Sequence, residues 1–365
     1  MRKSLRLPLF LMNIAAYFPP SSIMDFNSLQ KLIVETSSLL IRQHSEHKFI
    51  IITDKRSAEQ FPFYSNMETI VLNPVSKNGL LKKVWLDIKL PAILKKVNAD
   101  LFISFQNTSS STVSRPQCLF IQDIKKVRKT HIKKAQLLLV TNNLMKRKLI
   151  DKYGMPEKKI TTIYPAVNKM FEPISEEEKT AIKNRYSAGK EFFLFNSIFP
   201  RQQDLIDLLK SFSHFKKRQQ SNFNLLLTTP INSFFEESLA GYKYRNDVKF
   251  IDTNDKQEQV LITASAYAVV LPFNTDEDLI AALNTMRSGV PVIAVKDSVV
   301  NEVAEDAALY AETETTKDIG DKMIQVYTDE NYRFKLIEKG KQVAATYTDE
   351  KAAEILWQSI LKVLE

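Results

Sequence analysis

Short apolar runs alternate along the chain with longer amphipathic stretches. Apolar runs of about four to eight residues predict strands, and apolar positions recurring every three or four residues predict helices. The predicted strands cover residues 7–17, 49–53, 70–72, 101–105, 118–121, 137–141, 160–164, 192–197, 223–228, 248–251, 268–273 and 291–295. The predicted helices cover residues 29–44, 80–97, 143–153, 205–217, 255–264 and 278–288, with further helices from 316 to 365.

This alternation predicts an α/β fold. The strands are apolar throughout, which is typical of parallel sheets that are covered by helices on both faces. Because the strand–helix rhythm occurs twice, we expect two doubly wound Rossmann-like domains facing a central cleft, in residues 1–170 and 171–345. Ligands of such sheets bind at the carboxyl ends of the strands, so the cleft is the expected ligand site.

Charge is distributed unevenly between the two halves. Residues 1–150 hold 24 Lys and Arg against 9 Asp and Glu, a net charge of +15, whereas the whole chain carries +9. Six cations lie between Lys125 and Lys134. This basic run is either a solvated face or a surface attracted to an anionic membrane, where each cation is worth about 1 kcal/mol. Nucleic acid is not expected, because no aromatic residue for base stacking is interleaved with the cations.

Several classes of site are excluded by composition. A single cysteine excludes a disulfide framework, and the four histidines show no metal-binding spacing, so no metal is expected. His44 and His47 flank a charged stretch and are expected to be solvated. The seven glycines are scattered, which excludes a glycine-rich phosphate loop and any cofactor bound by one. No apolar run reaches the length of about 18 residues that a transmembrane helix needs.

The second half of the chain resembles a known family. Residues 266–310 contain, in order, AYAVVLPF, a segment from Asp276 to Met286, SGVPVIA and NEVAEDAALY. This series is similar to the donor-site block of GT-B glycosyltransferases, in particular the retaining group 1 (family 4) enzymes that use nucleotide sugars. Residues 98–102, 121–123, 163–173 and 193–201 are similar to other segments of that family. The resemblance implies that residues 346–365 form a closing helix that returns to the first domain.

The resemblance also implies candidate site residues, with clear departures from the family pattern. Two carboxylates separated by seven residues are usual in the donor block, and Asp276 and Asn284 stand at the matching positions. The usual Gly-Phe-Gly-Leu-Pro loop is replaced by a segment beginning Glu277, Asp278 and Leu279. The loop that normally clamps the diphosphate with Arg and Lys keeps Arg201. The remaining candidates on the donor side are Asn196, Gln202 and Gln203, and those on the acceptor side are Gln122, Asp123 and Asn142.

These implied roles define the expected function. The resemblance predicts a hexosyltransferase-type enzyme that transfers a sugar with retention from a nucleotide sugar to a glycan or lipid-linked acceptor. Asp276 and Arg201 are the implied catalytic residues, and no metal or other cofactor is implied. Because several family residues are replaced together, the alternative is a catalytically silent homologue that acts as a partner in polysaccharide assembly. A third hypothesis is an anionic-surface binding module built on the basic first half. The expected location is the cytoplasm, either free or peripherally on the inner face of the cell membrane.

Overall fold

The structure is a computed structural model that describes residues 11–18, 28–72, 84–197, 199, 201–228, 233–253, 255–312 and 315–364. The chain divides into two compact units. The first unit contains Met1–Pro165 together with Asp349–Glu365, and the second contains Ala166–Thr348. Each unit is built around one sheet.

The first unit has a seven-stranded parallel sheet with the order β3-β2-β1-β4-β5-β6-β7. Its strands are β1 (Asn13–Tyr17), β2 (Lys48–Thr53), β3 (Met67–Val71), β4 (Leu101–Ser104), β5 (Gln117–Phe120), β6 (Leu137–Val140) and β7 (Ile160–Thr162). Its helices are α1 (Ser28–Gln43), α2 (Lys55–Ala58), α3 (Leu90–Lys96, preceded by a π-helical turn at Trp85–Lys89), α4 (Lys129–Lys134), α5 (Asn143–Tyr153) and the C-terminal α14 (Asp349–Leu364). The order reverses direction between β1 and β4, as in a doubly wound sheet.

The second unit has a six-stranded parallel sheet with the order β10-β9-β8-β11-β12-β13. Its strands are β8 (Phe192–Phe195), β9 (Asn224–Leu227), β10 (Val248–Phe250), β11 (Ala268–Leu271), β12 (Val292–Val295) and β13 (Leu309–Ala311). Its helices are α6 (Glu176–Ser187), α7 (Gln202–Gln219), α8 (Ser233–Ala240), α9 (Lys256–Ser265), α10 (Asp276–Arg287), α11 (Val299–Ala304), α12 (Thr316–Thr328) and α13 (Glu330–Ala344). The prediction of parallel, doubly wound sheets is confirmed in both units.

Burial explains why these runs form central strands. Every residue of β4, β5, β6, β8, β9, β11 and β12 is buried, so both faces of each strand are covered. In the second unit, the ring of Phe193 packs edge-to-face against Phe215, with 5.0 Å between ring centroids. It also lies against the tilted ring of Phe223, with 5.4 Å between centroids. Phe212 and Phe215 lie on the same side of α7 and are fully buried. This aromatic packing holds α7 against β8.

The ends of the helices follow the capping rules. Ser175 begins α6 with a capping box, in which its Oγ accepts from the N–H of Glu178 at 3.2 Å and the Glu178 carboxylate accepts from the N–H of Ser175 at 2.9 Å. Gly154 ends α5 with φ of 65°, the left-handed conformation that glycine adopts without a Cβ clash.

A histidine and tryptophan cluster joins α14 to the rest of the first unit. The ring of Trp357 on α14 stacks on His44 with 3.7 Å between centroids and lies 5.1 Å from His47. His47 is only 4 % exposed, and its Nδ1 accepts a hydrogen bond from the N–H of Met12 at 3.3 Å. The expectation that both histidines are solvated is therefore wrong for His47, because a helix from the far end of the chain covers it. Burial also lowers the pKa of His47.

Other departures from the sequence predictions concern short elements. Residues 309–311 form an edge strand that the apolar pattern did not predict, since three residues are too few for a periodic signal. The first strand begins at Asn13, while residues 7–10 of the predicted strand and residues 80–83 of a predicted helix lie outside the described residues. None of the helices described is long and apolar enough to span a bilayer.

Candidate functional site

The sheet of the second unit reverses its winding between β8 and β11, which pair with each other. The chain leaves β8 toward α7 and leaves β11 toward α10, so both helices begin at the carboxyl edge of the sheet. Ligands of doubly wound sheets bind at this point, and the amino ends of helices attract anions through their free N–H groups and dipoles. The candidate donor site is therefore the region around the ends of β8 and β11.

The start of α10 is organised by a capping box. Thr275 Oγ1 accepts from the N–H of Asp278 at 3.2 Å, and Asp278 Oδ2 accepts from the N–H of Thr275 at 2.9 Å. Asp276 and Glu277 occupy the first helical turn and are half-buried. Three carboxylates thus stand in one turn, where the helix dipole stabilises negative charge.

Asp278 has an unusual environment for a carboxyl group. Its side chain is fully buried, and burial raises its pKa, with a smaller opposing effect from Ser197 at the end of β8. Asp278 Oδ1 and Ser197 Oγ are both buried and lie close enough for the Ser197 hydroxyl to oppose that rise, although their geometry falls outside that of a well-formed hydrogen bond. Asn196 Oδ1 also lacks a partner among these residues, while its Nδ2 donates weakly to Thr263 Oγ1 at 3.4 Å. A buried polar atom without a partner is costly unless an ordered water or a ligand satisfies it.

Arg201 is engaged by a neighbour within its own helix turn. Its Nε and a terminal guanidinium nitrogen donate to Asp204 Oδ1 at 3.0 and 2.6 Å, and its N–H donates to Asp204 Oδ2 at 2.7 Å. Asp204 is 1 % exposed, whereas the Arg201 side chain is 70 % exposed. Gln203 points along the helix and donates to Asp207 Oδ1 at 3.0 Å. Gln202 begins α7, and its side chain lies outside the described part.

Asn284 and Leu279 lie deeper in α10 and face the interior. Asn284 Oδ1 accepts from the N–H of Asn168 at 3.1 Å, and the Asn284 side chain is 7 % exposed. Its amide oxygen is thus occupied by a peptide group of this unit. Leu279 is fully buried, so only its backbone could contact a ligand.

The acceptor-side candidates lie at the carboxyl edge of the first sheet. Asn107 Oδ1 accepts from the N–H groups of Gln122 and Asp123 at 2.7 and 2.9 Å, which joins the loop after β4 to the loop after β5. Asp123 Oδ1 accepts from the N–H of Lys125 at 2.8 Å. Asn142 is 1 % exposed and caps α5 by accepting from the N–H of Met145 at 2.7 Å. The segment at residues 19–23, which replaces a family Gly-Gly loop, lies outside the described residues.

The structure brings some of the predicted site residues together and leaves others in structural roles. Asn196, Asp276, Glu277 and Asp278 gather at the ends of β8 and β11, and Gln122 and Asp123 share one loop pair in the first unit. Asn142 and Asn284 make structural hydrogen bonds that the sequence did not reveal. Ser197 was not predicted as a site residue, although its place directly after Asn196 in the matched strand was a signal for it. Across the described chain, no group of three His, Cys, Asp or Glu side chains could hold a metal ion.

Comparison with solved structures identifies the fold. A glycosyltransferase from Rickettsia africae ESF-5 superposes with a TM-score of 0.79 at 15 % identity, covering 97 % of this chain and 99 % of that one. HepE of Anabaena, solved in complex with UDP and glucose, gives a TM-score of 0.72 at 12 % identity over 96 % of this chain and 100 % of HepE. WaaG, a glycosyltransferase involved in lipopolysaccharide biosynthesis, gives a TM-score of 0.67 at 16 % identity, covering 94 % of this chain and 99 % of WaaG. The two parallel sheets have the GT-B glycosyltransferase fold.

Comparison at the sequence level finds one matching family model and one curated relative. Residues 176–343 match the family model of "Glycosyl transferases group 1". The O-antigen chain mannosyltransferase RfbU of Salmonella typhimurium (strain LT2) is 24 % identical over 192 residues, which are 52 % of this chain. The match covers 50 % of the length of that curated relative. The predicted resemblance to group 1 glycosyltransferases is confirmed, and it rests on the second unit.

Proposed function

We propose that the protein is a glycosyltransferase that transfers a sugar from a nucleotide sugar to a glycan or lipid-linked acceptor, with retention of configuration. The observation that carries the proposal is the switch point of the second sheet, where α7 and α10 both begin within the stretch that matches the family model. The family match over residues 176–343 supports a nucleotide-sugar donor there. UDP and glucose bound to HepE are consistent with this class of ligand.

In this proposal the chain's own groups stabilise the departing diphosphate. The amino ends of α7 and α10 supply N–H groups and the positive ends of two helix dipoles. The Ser197 hydroxyl and the Asp278 carboxyl are buried beside this point, so they contact the ligand only after a local rearrangement of the loop after β8. Asp204 neutralises part of the positive charge of Arg201, so Arg201 attracts a diphosphate less strongly than an arginine without a carboxylate partner. Asp276 contacts the sugar from the first turn of α10.

A specific observation favours the second candidate, a catalytically silent partner in polysaccharide assembly. Asp276, Glu277 and Asp278 place three acids in the turn where a diphosphate would lie, and Arg201 is held by Asp204. Like charges disfavour an anionic ligand unless a carboxyl group is neutral. The acidic first turn of α10 therefore favours a protein that does not bind a diphosphate at this point.

The basic run between Lys125 and Lys134 supports peripheral binding to an anionic membrane, where a lipid-linked acceptor would lie. Asp123 pairs with Lys126 at 3.5 Å, while Lys125, Arg128, Lys129 and Lys133 are exposed. Sedimentation with vesicles that contain or lack anionic lipid, at low and high salt, tests this, because screening weakens such binding. Binding that is equal on neutral and anionic vesicles would contradict it.

The experiment for the donor site is calorimetric titration of the full chain with nucleoside diphosphates and a panel of nucleotide sugars. We expect binding of at least one of them, weakened about three- to tenfold by Ser197→Ala, the loss expected for one neutral hydrogen bond. Ser213→Ala is the control, because its hydroxyl lies about three turns along α7 and bonds only the Leu209 carbonyl and the Tyr242 hydroxyl among the described residues. Absence of binding at millimolar nucleotide would refute the transferase and leave the silent partner. Binding without donor turnover would also favour the silent partner.

A further inference from the structure

A groove in the first unit lies on the sheet edge opposite to the acceptor-side candidates. Its walls are the last turn of α3 and the loop that leads into β5, and it is lined by Leu94, Lys95, Thr112, Ser114 and Arg115 among others. Arg115 stands just before the amino end of β5, whereas Gln122 and Asp123 follow its carboxyl end. The groove is therefore separate from every site predicted from the sequence.

The loop wall of this groove is rigidly held. Asp87 Oδ1 accepts from the N–H and the hydroxyl of Ser111, both at 2.8 Å, and the Asp87 carbonyl accepts from Thr112 Oγ1 at 2.5 Å. Ser110 Oγ accepts from the N–H of Val113 at 3.2 Å. A loop fixed by this many bonds presents its side chains in one arrangement, which reduces the ordering cost of binding a ligand.

The charges lining the groove are unused by the protein. Lys95 and Arg115 are exposed, and neither side chain makes a hydrogen bond or ion pair with any part of the chain that is described. The Ser114 hydroxyl is likewise without a partner there. Asp87 is the nearby carboxylate, and its Oδ1 is occupied by Ser111. The groove thus offers an ammonium, a guanidinium and a hydroxyl, which together match the several oxygens of a phosphate group.

The end of the basic run lies beside the loop wall of the groove. Lys134, at the end of α4, donates from Nζ to the Ser111 carbonyl, which places α4 beside the loop wall. Lys129 and Lys133 on the same helix are exposed. The surrounding cations raise the local concentration of anions near the groove.

We propose that this groove is a phosphate-binding site, in which Arg115 and Lys95 bind the anionic oxygens and Ser114 donates a further hydrogen bond. The phosphate can belong to a membrane lipid headgroup or to a soluble phosphate ester, since the recognising chemistry is the same. The site is independent of the donor site proposed in the second unit.

The test uses the full chain and the double variant Lys95→Gln with Arg115→Gln. The control is Lys148→Gln with Lys158→Gln, which removes the same charge from two exposed lysines of the first unit that lie on and after α5. One arm titrates inorganic phosphate and glycerol 3-phosphate by calorimetry, and the other measures flotation with phosphatidylcholine vesicles with or without phosphatidylglycerol.

We expect the groove variant to lose about tenfold or more in affinity, and the control variant to change less than about twofold. If the groove variant loses affinity for inorganic phosphate or glycerol 3-phosphate in the titration, the ligand is a soluble phosphate ester. If it loses only its binding to vesicles that contain phosphatidylglycerol, the ligand is a lipid headgroup. If the groove variant and the control variant lose affinity equally, the proposal is overturned, because the binding then depends on the net positive charge of the first unit and not on the groove. Absence of binding to every probe would overturn it as well.

Discussion

Glu305 has a backbone conformation that L-residues avoid. It follows α11 with φ of 44° and ψ of −113°, close to the first central residue of a type II′ turn, a position that glycine dominates. Its side chain is exposed and makes no hydrogen bond or ion pair within the described chain. Glu305 therefore carries a Cβ in a turn that favours glycine, and its backbone is strained.

Replacing Glu305 with glycine is therefore expected to stabilise the protein. A residue held in such a region stores about 1–3 kcal/mol of strain, and the extra freedom of glycine in the unfolded chain costs about 0.4–1 kcal/mol. The difference is about 1 kcal/mol in favour of Glu305→Gly. In a unit of this size that raises the melting temperature by about 2–4 °C, which thermal unfolding followed by far-UV circular dichroism would measure.

Glu305→Ala is the matched control. It removes the same carboxylate but keeps a Cβ, so the strain remains and no comparable rise is expected. If alanine stabilises as much as glycine, the gain comes from the lost charge and the strain argument is refuted. A melting temperature of Glu305→Gly at or below that of the wild type would also refute it.

Three further substitutions test the packing and electrostatics of the second unit. Gly320→Ala places a Cβ 2.8 Å from the Ser211 carbonyl and should cost about 1–3 kcal/mol in urea unfolding, whereas Gly241→Ala, with nothing within 4 Å, should not. Phe193→Ala should cost about 3–5 kcal/mol in the same assay; a loss below about 1 kcal/mol would contradict its place in the aromatic core. Because burial raises the pKa of Asp278, its contribution to stability is present at low pH and lost as pH rises through that pKa. Asp278→Asn should therefore reduce the loss of stability with rising pH, measured as the urea midpoint at a series of pH values. If the midpoints of the variant depend on pH as those of the wild type do, Asp278 does not cause that loss.

The sequence was sufficient to predict the fold because the central strands are apolar on both faces. Runs such as residues 192–195 and 268–271 have few alternatives to a covered parallel strand, and the structure buries all their residues. The same reasoning could not predict β13, because a strand of three residues is too short to show a periodic pattern. It also misjudged His47, because the residue that covers it, Trp357, lies some three hundred positions further along the chain.

The candidate site was harder to predict, because its polar residues can serve either the fold or a ligand. Asn142 is the residue type expected at a helix cap and also at an acceptor site, and only the bond from the Met145 N–H shows its structural role. Arg201 fits a diphosphate clamp until its contacts with Asp204 are seen. Ser197 carries no motif of its own, and the position of its buried hydroxyl beside Asp278 is visible only in three dimensions.

A crystal structure of the full chain with a bound nucleotide sugar is the most direct test of the proposed donor site. We expect the diphosphate at the carboxyl ends of β8 and β11, with its oxygens within hydrogen-bonding distance of Ser197 and the first turn of α10. A nucleotide bound elsewhere, with Ser197 and Asp278 still unpaired, would contradict the account.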